Sequence, residues 1–405
     1  MRPLIAWLAL AGPIWGLAGS AALPRRYRRH GRDPRLARPA GALVGLSLGL
    51  PGVVALWWRL PRLRRWWSVA APAAVLALEL LAAFRLLAPD NSCVRSPGYV
   101  ADQLGNGLLV GAVIATAAIG LTLIFSVLGV VSFTHGQLVM AGGVASYLLL
   151  GNLWHVQPLL AIPLVGVMGF AAGAIIDRML LTPLHRGRVD RPDEYAILVT
   201  FGFGIFLQYA LLGVLGPTSG LRTARYTDTS LLGLHPGASA FTVGPLRVDT
   251  NLLVAGIVGL VLCTLLAVFL RYTWLGRSLR AVSENPQAAS VAGVNADRSF
   301  TLAFALGGML AAMAGATLVP VLVFPVPDIA GQMSIRSFVV VVLGGLGSVP
   351  GAFLGGLFVG AVEALGAGCY PDPSKGAVYQ SAFGLVIFAL VLLARPQGFF
   401  GRAAR

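Results

Sequence analysis

The chain has 405 residues, of which 57% are hydrophobic and only 11% charged, and its formal net charge is +15. Soluble proteins carry about 25% charged residues, so the composition excludes an ordinary soluble domain and indicates a surface covered by lipid. The arginines lie between apolar runs of bilayer length. The positive charge therefore predicts contact with anionic lipids and no nucleic-acid partner.

Apolar runs long enough to cross a bilayer recur along the chain, since a membrane helix needs about 20 mostly apolar residues. The predicted spans are Leu4–Leu23, Val69–Leu87, Leu104–Phe125, Val130–Leu150, Pro158–Ile176, Tyr195–Leu215, Leu252–Leu270 and Phe300–Leu322. Three shorter, glycine-dense runs follow, at Ser337–Leu346, Phe353–Leu365 and Ala382–Leu393. The predicted fold class is all-α: a polytopic membrane helical bundle with short, Gly-rich broken or re-entrant helices.

The chain is expected to have two parts. Residues 1–97 are predicted to be an Arg-rich N-terminal membrane extension, and residues 98–405 the core. Basic runs at Arg25–Arg38 and Arg59–Arg65 both favour the cytoplasm, so Ala42–Trp58 between them is predicted to be re-entrant or to lie on the membrane surface. Leu4–Leu23 is predicted to be a retained helix, with a cleaved signal peptide as the alternative.

Loop charge gives the orientation of the core. The turn Arg178–Arg191 and the loop Arg271–Arg298 are rich in arginine and are predicted to be cytoplasmic. The segment Gly216–Asn251 is then predicted to lie outside.

The three cysteines do not suggest a metal site, because no CxxC pair is present. Cys263 lies within an apolar run, whereas Cys93 and Cys369 fall in loops predicted to lie outside. On an oxidising side these two could form a disulfide, and independent free thiols are the alternative. Peptide mapping under non-reducing conditions distinguishes the two.

Polar side chains within the spans are candidates for a solute path. His135 and Gln137, on either side of Gly136, are expected to face a partner helix or a wet cavity, because a polar group facing lipid is costly. His135 could instead bond a neighbouring carbonyl and fix a helix break. Glu363 is a second candidate and Gln208 a weaker third.

The loop Gly276–Asn295 interrupts the apolar pattern. Its arginines come first, and Ser283 or Asn285 can then cap a short amphiphilic helix with Pro286 in its first turn. We expect this helix to project from the membrane, and a solvated cytoplasmic turn is the alternative.

No catalytic motif is present, and we expect neither enzymatic activity nor a cofactor. A Walker A loop ends in Lys followed by Ser or Thr, but Lys375 is the only lysine and Gly376 follows it. If transport consumes ATP, a separate subunit must hydrolyse it.

Five stretches carry a family resemblance. They are LTLIFSVLGVVSFTHGQLVMAGG from Leu121, FGFGIFLQ from Phe201, RYTWLGRSLRAVSENPQAASVAGVNADR from Arg271, VVVVLGGLGSVPGAFLGGLFVGAVEAL from Val339 and ARPQGFFG from Ala394. The chain resembles the membrane permeases of branched-chain amino acid ABC importers, a family that also includes urea and short-amide permeases. The extension before Gly98 has no counterpart in that pattern.

The resemblance implies a multi-pass permease subunit in a prokaryotic inner membrane. It implies a second related permease, ABC ATPase subunits on the cytoplasmic side and an extracytoplasmic solute-binding protein. His135, Gly136 and Gln137 match the family's Phe-x-His-Gly region near the translocation path. The ATPase coupling loop would comprise Gly276, Arg277, Arg280, Glu284, Asn285 and Gly293.

Two other classes of function compete with this one. An ATP-independent secondary transporter or channel would need charged groups near the bilayer midplane, and the spans contain few. A structural membrane subunit would have no solute path. Branched-chain amino acids are the expected solute, with urea or short amides as alternatives.

Overall fold

The computed structural model describes residues 93, 96–153, 157–185, 187, 189–215, 221, 226, 240–243, 246–321, 328–370, 373–395 and 397–400. The chain divides into two units, residues 1–95 and 96–405, and all the described residues except Cys93 belong to the second. The predictions for Leu4–Leu23, Ala42–Trp58 and Val69–Leu87 lie outside the described residues.

The described part is almost entirely helical. Its α-helices, in chain order, are α1 Pro97–Leu128, α2 His135–Tyr147, α3 Pro158–Ile176, α4 Thr182–His185, α5 Pro192–Leu215, α6 Thr250–Tyr272, α7 Trp274–Glu284, α8 Pro286–Val291, α9 Ala296–Leu318, α10 Asp328–Gly344, α11 Val349–Gly368, α12 Pro373–Val378 and α13 Gln380–Ala394. Single π-helical stretches follow α2 (Leu148–Leu153) and α3 (Asp177–Leu181). Strands β1 Ala240–Val243 and β2 Leu246–Asp249 pair antiparallel.

The helical content confirms the all-α membrane bundle. Six helices among the described residues are long and apolar enough to cross a bilayer. The predicted span Pro158–Ile176 coincides with α3, where Pro158 occupies the first turn and its missing N–H costs no hydrogen bond.

The predicted span Val130–Leu150 starts too early, although helical structure covers most of its length. Helix α1 ends at Gly129, whose φ of +77° places it in the left-handed region, and α2 begins only at His135. An apolar run hides this break, because hydropathy does not register backbone conformation. Helix α2 has 13 α-helical residues and continues directly into the π-helical stretch Leu148–Leu153.

The prediction that Phe353–Leu365 is a short run is wrong. Helix α11 has 20 residues and is long enough to span. It starts early because Ser348 caps it by accepting a hydrogen bond from the Gly351 N–H at 3.2 Å. The break lies before it, where Gly345 and Gly347 have φ of +99° and +83°.

Helix α1 packs on α11 through small residues. A Cβ atom added at Gly111 would lie 2.7 Å from the Gly356 carbonyl oxygen, and one at Gly360 would overlap the Gly107 carbonyl oxygen. Glycines at these positions let the two backbones touch.

Helix α9 is the centre of a second set of close contacts. A Cβ at Gly315 would overlap the Val139 carbonyl oxygen of α2, and one at Gly173 of α3 would lie 2.6 Å from the Phe304 carbonyl oxygen. Helix α9 also meets α1, where a Cβ at Gly120 would lie 2.8 Å from the Gly307 carbonyl oxygen. The core therefore consists of α1 and α9 side by side, each with neighbours at backbone distance.

The C-terminal end of α9 is held by a residue that lies outside the predicted membrane spans. Tyr226 is 1% exposed and its hydroxyl donates to the Thr317 carbonyl at 3.1 Å, which satisfies one of the carbonyls that a helix end leaves without an intrahelical partner. Burial raises the pKa of this phenol above its ordinary value, so it stays a donor at neutral pH.

We predict that Gly315→Ala lowers the free energy of unfolding by about 1–3 kcal/mol, the usual cost of forcing a methyl group into a packed site. The control is Gly202→Ala on α5, where an added Cβ meets nothing within 4 Å. That change should be neutral or stabilise by about 0.5–1 kcal/mol, because alanine favours helix. Unfolding of the detergent-purified variants measures both, and equal losses would contradict the close packing.

Candidate functional site

The start of α2 is tied to α5 by two hydrogen bonds around one threonine. The Thr134 hydroxyl donates to the Thr200 carbonyl at 2.7 Å, and the Phe133 N–H donates to the Thr200 hydroxyl oxygen at 3.2 Å. Thr200 is fully buried. The break before α2 is thus a fixed, hydrogen-bonded structure.

His135 anchors the same point to α1. Its side chain is 1% exposed, and Nε2 lies 2.7 Å from the Ala117 carbonyl oxygen, which requires the proton on Nε2. Nδ1 is then a buried acceptor without a hydrogen-bond partner among the described residues. This geometry supports the interpretation that His135 bonds a neighbouring carbonyl; a solute contact stays a prediction.

Gly136 and Gln137 face different neighbours. A Cβ at Gly136 would overlap the Ser334 hydroxyl and the Ala330 carbonyl, so glycine is required for α2 to pack on α10. Gln137 points towards α5: a Cβ at Gly204 would lie 3.1 Å from its Oε1, and Oε1 is buried without a partner among the described residues.

Gln208 is half-buried and lies one helical turn beyond Gly204, on the same face of α5. Helical spacing therefore places Gln208 on the face of α5 that Gln137 contacts at Gly204.

Glu363 lies apart from the contact between α2 and α5. Its carboxylate Oε2 is 3.2 Å from Nη2 of Arg336 on α10, and the two side chains are only 2% and 12% exposed. The same Nη2 donates to the Ser381 hydroxyl of α13 at 3.1 Å. Arg336 and Ser334 are about 200° apart around α10, so the ion pair and the Gly136 contact lie on opposite sides of that helix.

A cavity of about 100 Å³ adjoins this ion pair. Its lining is Gln332, Ile335, Arg336, Val339, Glu363, Ser381, Gly384 and Leu385. Helices α10, α11 and α13 thus enclose two opposite charges within a mainly apolar wall.

Sequence reasoning missed Arg336 and Asp177. Arg336 borders the predicted run Ser337–Leu346, and its partner is 27 positions away, so only the fold reveals the pair. Asp177 follows α3 directly, is 1% exposed and accepts a 2.7 Å hydrogen bond from Thr301 of α9. Each is a single charged residue at the edge of an apolar run, and that position is the sequence signal by which both could have been predicted.

The stretch Gly276–Asn295 forms a pair of helices rather than a loop with one short helix. Arg277 and Arg280 precede the short helix α8, as predicted, but they lie within a further helix, α7, that the sequence did not predict. The prediction that Asn285 caps a second helix is confirmed: its Oδ1 accepts from the Ala288 N–H at 2.9 Å, with Pro286 in the first turn of α8.

The turn into α7 depends on a glycine. A Cβ at Gly276 would lie 2.5 Å from the Leu270 Cα and the Phe269 carbonyl oxygen, so α7 folds back closely on the end of α6. Thr273 caps α7 by accepting from the Gly276 N–H at 3.0 Å.

Gly293 ends α8 in the left-handed conformation, with φ of +85°. The Val294 N–H donates to the Ala289 carbonyl and the Gly293 N–H to the Ser290 carbonyl, each at 3.0 Å. This pattern is a Schellman motif, in which glycine avoids the steric cost of positive φ.

The two-helix segment from Trp274 to Asn295 has distinct faces; it is hereafter called the coupling hairpin, after the role that the resemblance predicts for it. Gly276, Leu279 and Val282 are buried, and the leucine and valine pack in one cluster with side chains of α1, α6 and α9. Of the predicted coupling residues Gly276 is thus buried, and the other five are exposed. They are Arg277, Arg280, Glu284, Asn285 and Gly293.

Cys263 is buried in α6, with Sγ 3.5 Å from the Thr116 hydroxyl. The Cys93–Cys369 pairing stays a prediction. Within the described residues, no three His, Cys, Asp or Glu side chains are grouped as a metal site would require.

We predict that Gly276→Ala loosens the coupling hairpin, because the added methyl group collides with the α6 backbone. Amide hydrogen exchange across 274–284 should quicken roughly tenfold, equivalent to about 1.4 kcal/mol of local stability. Ser278→Ala is the matched control in the same helix, since it removes only the hydroxyl bond to the Trp274 carbonyl. Unchanged exchange in Gly276→Ala would contradict the packing argument.

Comparison with known proteins agrees with this architecture. The family model for the branched-chain amino acid transport system permease component matches residues 103–395. BraD, a high-affinity branched-chain amino acid transport permease of Pseudomonas aeruginosa, is 33% identical over 74% of this chain and 95% of its own length. LivH of Escherichia coli, also a high-affinity branched-chain amino acid transport permease, is 31% identical over 75% of this chain and 96% of its own.

A more distant relative is the ribose import permease RbsC of Escherichia coli, 25% identical over 73% of this chain and 84% of its own length. No solved structure gives a significant match. The six apolar helices and these relatives make the protein a multi-pass inner-membrane permease. The chain belongs to the family of branched-chain amino acid transport system permease components.

Proposed function

We propose that this chain is the membrane-spanning subunit of an ABC importer and that partner ATPases drive it through the coupling hairpin. One observation supports this most directly. The hairpin buries one face against the bundle and exposes Arg277, Arg280 and Glu284 on the other. A charged, exposed face on a structured element suits a groove on a soluble subunit.

The buried face explains how a push would be passed on. Leu279 and Val282 are 1% and 0% exposed and contact α1, α6 and α9, which include the two central helices of the core. Packed side chains are scarcely compressible, so a displaced hairpin must displace these helices.

The proposed partners follow from the family. A second, related permease would complete the path, and an extracytoplasmic binding protein would deliver the solute. Helix α5 must be covered by something other than its own bundle, because only 11% of its apolar 18-residue stretch is buried within the chain. Lipid or a partner permease must cover the remainder, and anionic lipids remain the proposed partner of the excess arginines.

We place the solute path along α10. This helix packs Ser334 towards α2 and Arg336 towards α11 and α13, and it leaves Gln332, Ile335 and Phe338 exposed between them. That exposed stripe runs from the Gly136 contact with α2 to the Glu363 ion pair. Exposed Gln332 would be costly against lipid, which favours a wet surface or a partner there.

Branched-chain amino acids are the proposed solute class, since BraD and LivH are permeases for that class. Urea and short amides remain the alternative. Purification of the tagged protein from its native membrane, followed by uptake into proteoliposomes, tests the proposal. We expect an ATPase and a second permease to copurify, and leucine uptake to require both ATP and the binding protein.

Uptake by the lone chain without ATP would instead establish a secondary transporter or channel. Absence of any uptake by the purified assembly, with ATPases and binding protein present, would favour a structural subunit.

We predict that Glu284→Arg uncouples the importer. The change reverses an exposed charge on the hairpin and leaves the buried face intact, so folding should be unaffected while ATP-driven uptake falls at least about tenfold, the effect of losing about 1.4 kcal/mol at a charged contact. Glu194→Arg, a reversal of another exposed charge at the start of α5, is the control. Normal uptake in Glu284→Arg would argue against the coupling role.

A further inference from the structure

We propose that Arg336, Glu363 and Ser381 form a solute site for a zwitterion, in which the guanidinium binds a carboxylate and the carboxylate of Glu363 binds an ammonium group. The inference rests on the proposed import function and specifies where and how the solute is recognised. It selects branched-chain amino acids over urea and short amides, because urea and amides carry neither charge.

The first support is the cavity itself. Its volume of about 100 Å³ adjoins both charged side chains. That is room for several water molecules or for the ammonium and carboxylate groups of a small solute. The side chains Ile335, Val339 and Leu385 complete the lining with apolar surface, against which an aliphatic group can lie.

The second support is the state of the polar atoms. Oε2 of Glu363 is within ion-pair distance of Arg336 but makes no well-directed hydrogen bond, and Nε of Arg336 is buried without a partner among the described residues. Buried charged groups are normally fully hydrogen-bonded, because an unmet donor or acceptor costs about 1–3 kcal/mol or more. Nε of Arg336 is therefore a donor left for a ligand, and Oε2 of Glu363 becomes an acceptor for one when its ion pair with Arg336 loosens.

Charge balance favours a zwitterion over other solutes. If a ligand carboxylate approaches Arg336 while its ammonium group approaches Glu363, both buried charges stay compensated as their own ion pair loosens. A solute with only one charge leaves one buried charge without compensation, and a neutral solute must replace ionic contacts with weaker ones.

Access to the site is consistent with this role. Gln332 and Ile335 line the cavity and also belong to the exposed stripe of α10. A solute moving along that stripe would reach the ion pair directly. Gly384 leaves space for the Glu363 carboxylate, since a Cβ there would lie 2.8 Å from Oε1.

The decisive variant replaces the pair by apolar residues of similar size, Arg336→Met with Glu363→Leu. Such replacements of buried ion pairs are often neutral or stabilising, so the bundle should fold and bind its partners. The control is Arg191→Gln with Glu194→Gln, which removes an ion pair of the same composition whose side chains are 77% and 63% exposed.

Both double variants are assembled with the partner permease, the ATPases and the binding protein in proteoliposomes, and leucine uptake is measured. We expect uptake by Arg336→Met/Glu363→Leu to fall at least tenfold, with ATPase binding unchanged and the unfolding temperature not lowered, and the control to match the wild type. A structural ion pair would give normal uptake with Arg336→Met/Glu363→Leu, and that result overturns the site.

If the variant fails to assemble, Ser381→Ala and Gly384→Ala, which perturb the site and keep both charges, must each reduce leucine uptake relative to the control.

A second measurement uses the wild-type assembly without binding protein. Leucine should raise its unfolding temperature, whereas isoamylamine, 4-methylpentanoate and urea should not. Equal protection by urea or by either singly charged analogue overturns the zwitterion assignment. If the wild type takes up no solute with ATP, the import function itself fails; if it imports urea but not leucine, import stands and the site is wrong.

Discussion

Backbone-to-backbone contact between helices is the constraint on which this bundle depends. In lipid, apolar side chains gain little by leaving one apolar environment for another, so helix association relies on close van der Waals packing and on polar contacts. Gly315 on α9 and Gly111 on α1 supply that packing, since a single added methyl group at either would meet a neighbouring backbone. The rest of the architecture follows from how closely α1 and α9 hold their neighbours.

The short helix α2 illustrates this dependence. A non-helical break at residues 129–134 precedes it, and such backbone at membrane depth is tolerated only inside protein. Glycines hold it against α9 and α10, His135 fixes its start to α1, and Thr200 fixes it to α5. A polar side chain such as Gln137 can then lie at a defined position within the membrane.

The sequence predicted what depends on local chemistry. The apolar run and leading proline gave the bounds of α3, and Asn285 with Pro286 gave the start of α8. It did not predict the start of α2, because Gly129 breaks the helix by conformation within an uninterrupted apolar run. The Arg336–Glu363 pair also escaped prediction, since it joins two helices whose packing no single stretch of sequence encodes.

Helix α9 links the coupling hairpin to α2. It begins at Ala296, directly after the coupling hairpin, and its later turns touch the α2 backbone at Val139. Long side chains between two helices can change rotamer and absorb a shift, but a glycine contact has no such freedom. Any displacement of α9 that the hairpin imposes must therefore move α2 as well. The glycines that stabilise the bundle thus also make the connection from the hairpin through α9 to α2 rigid.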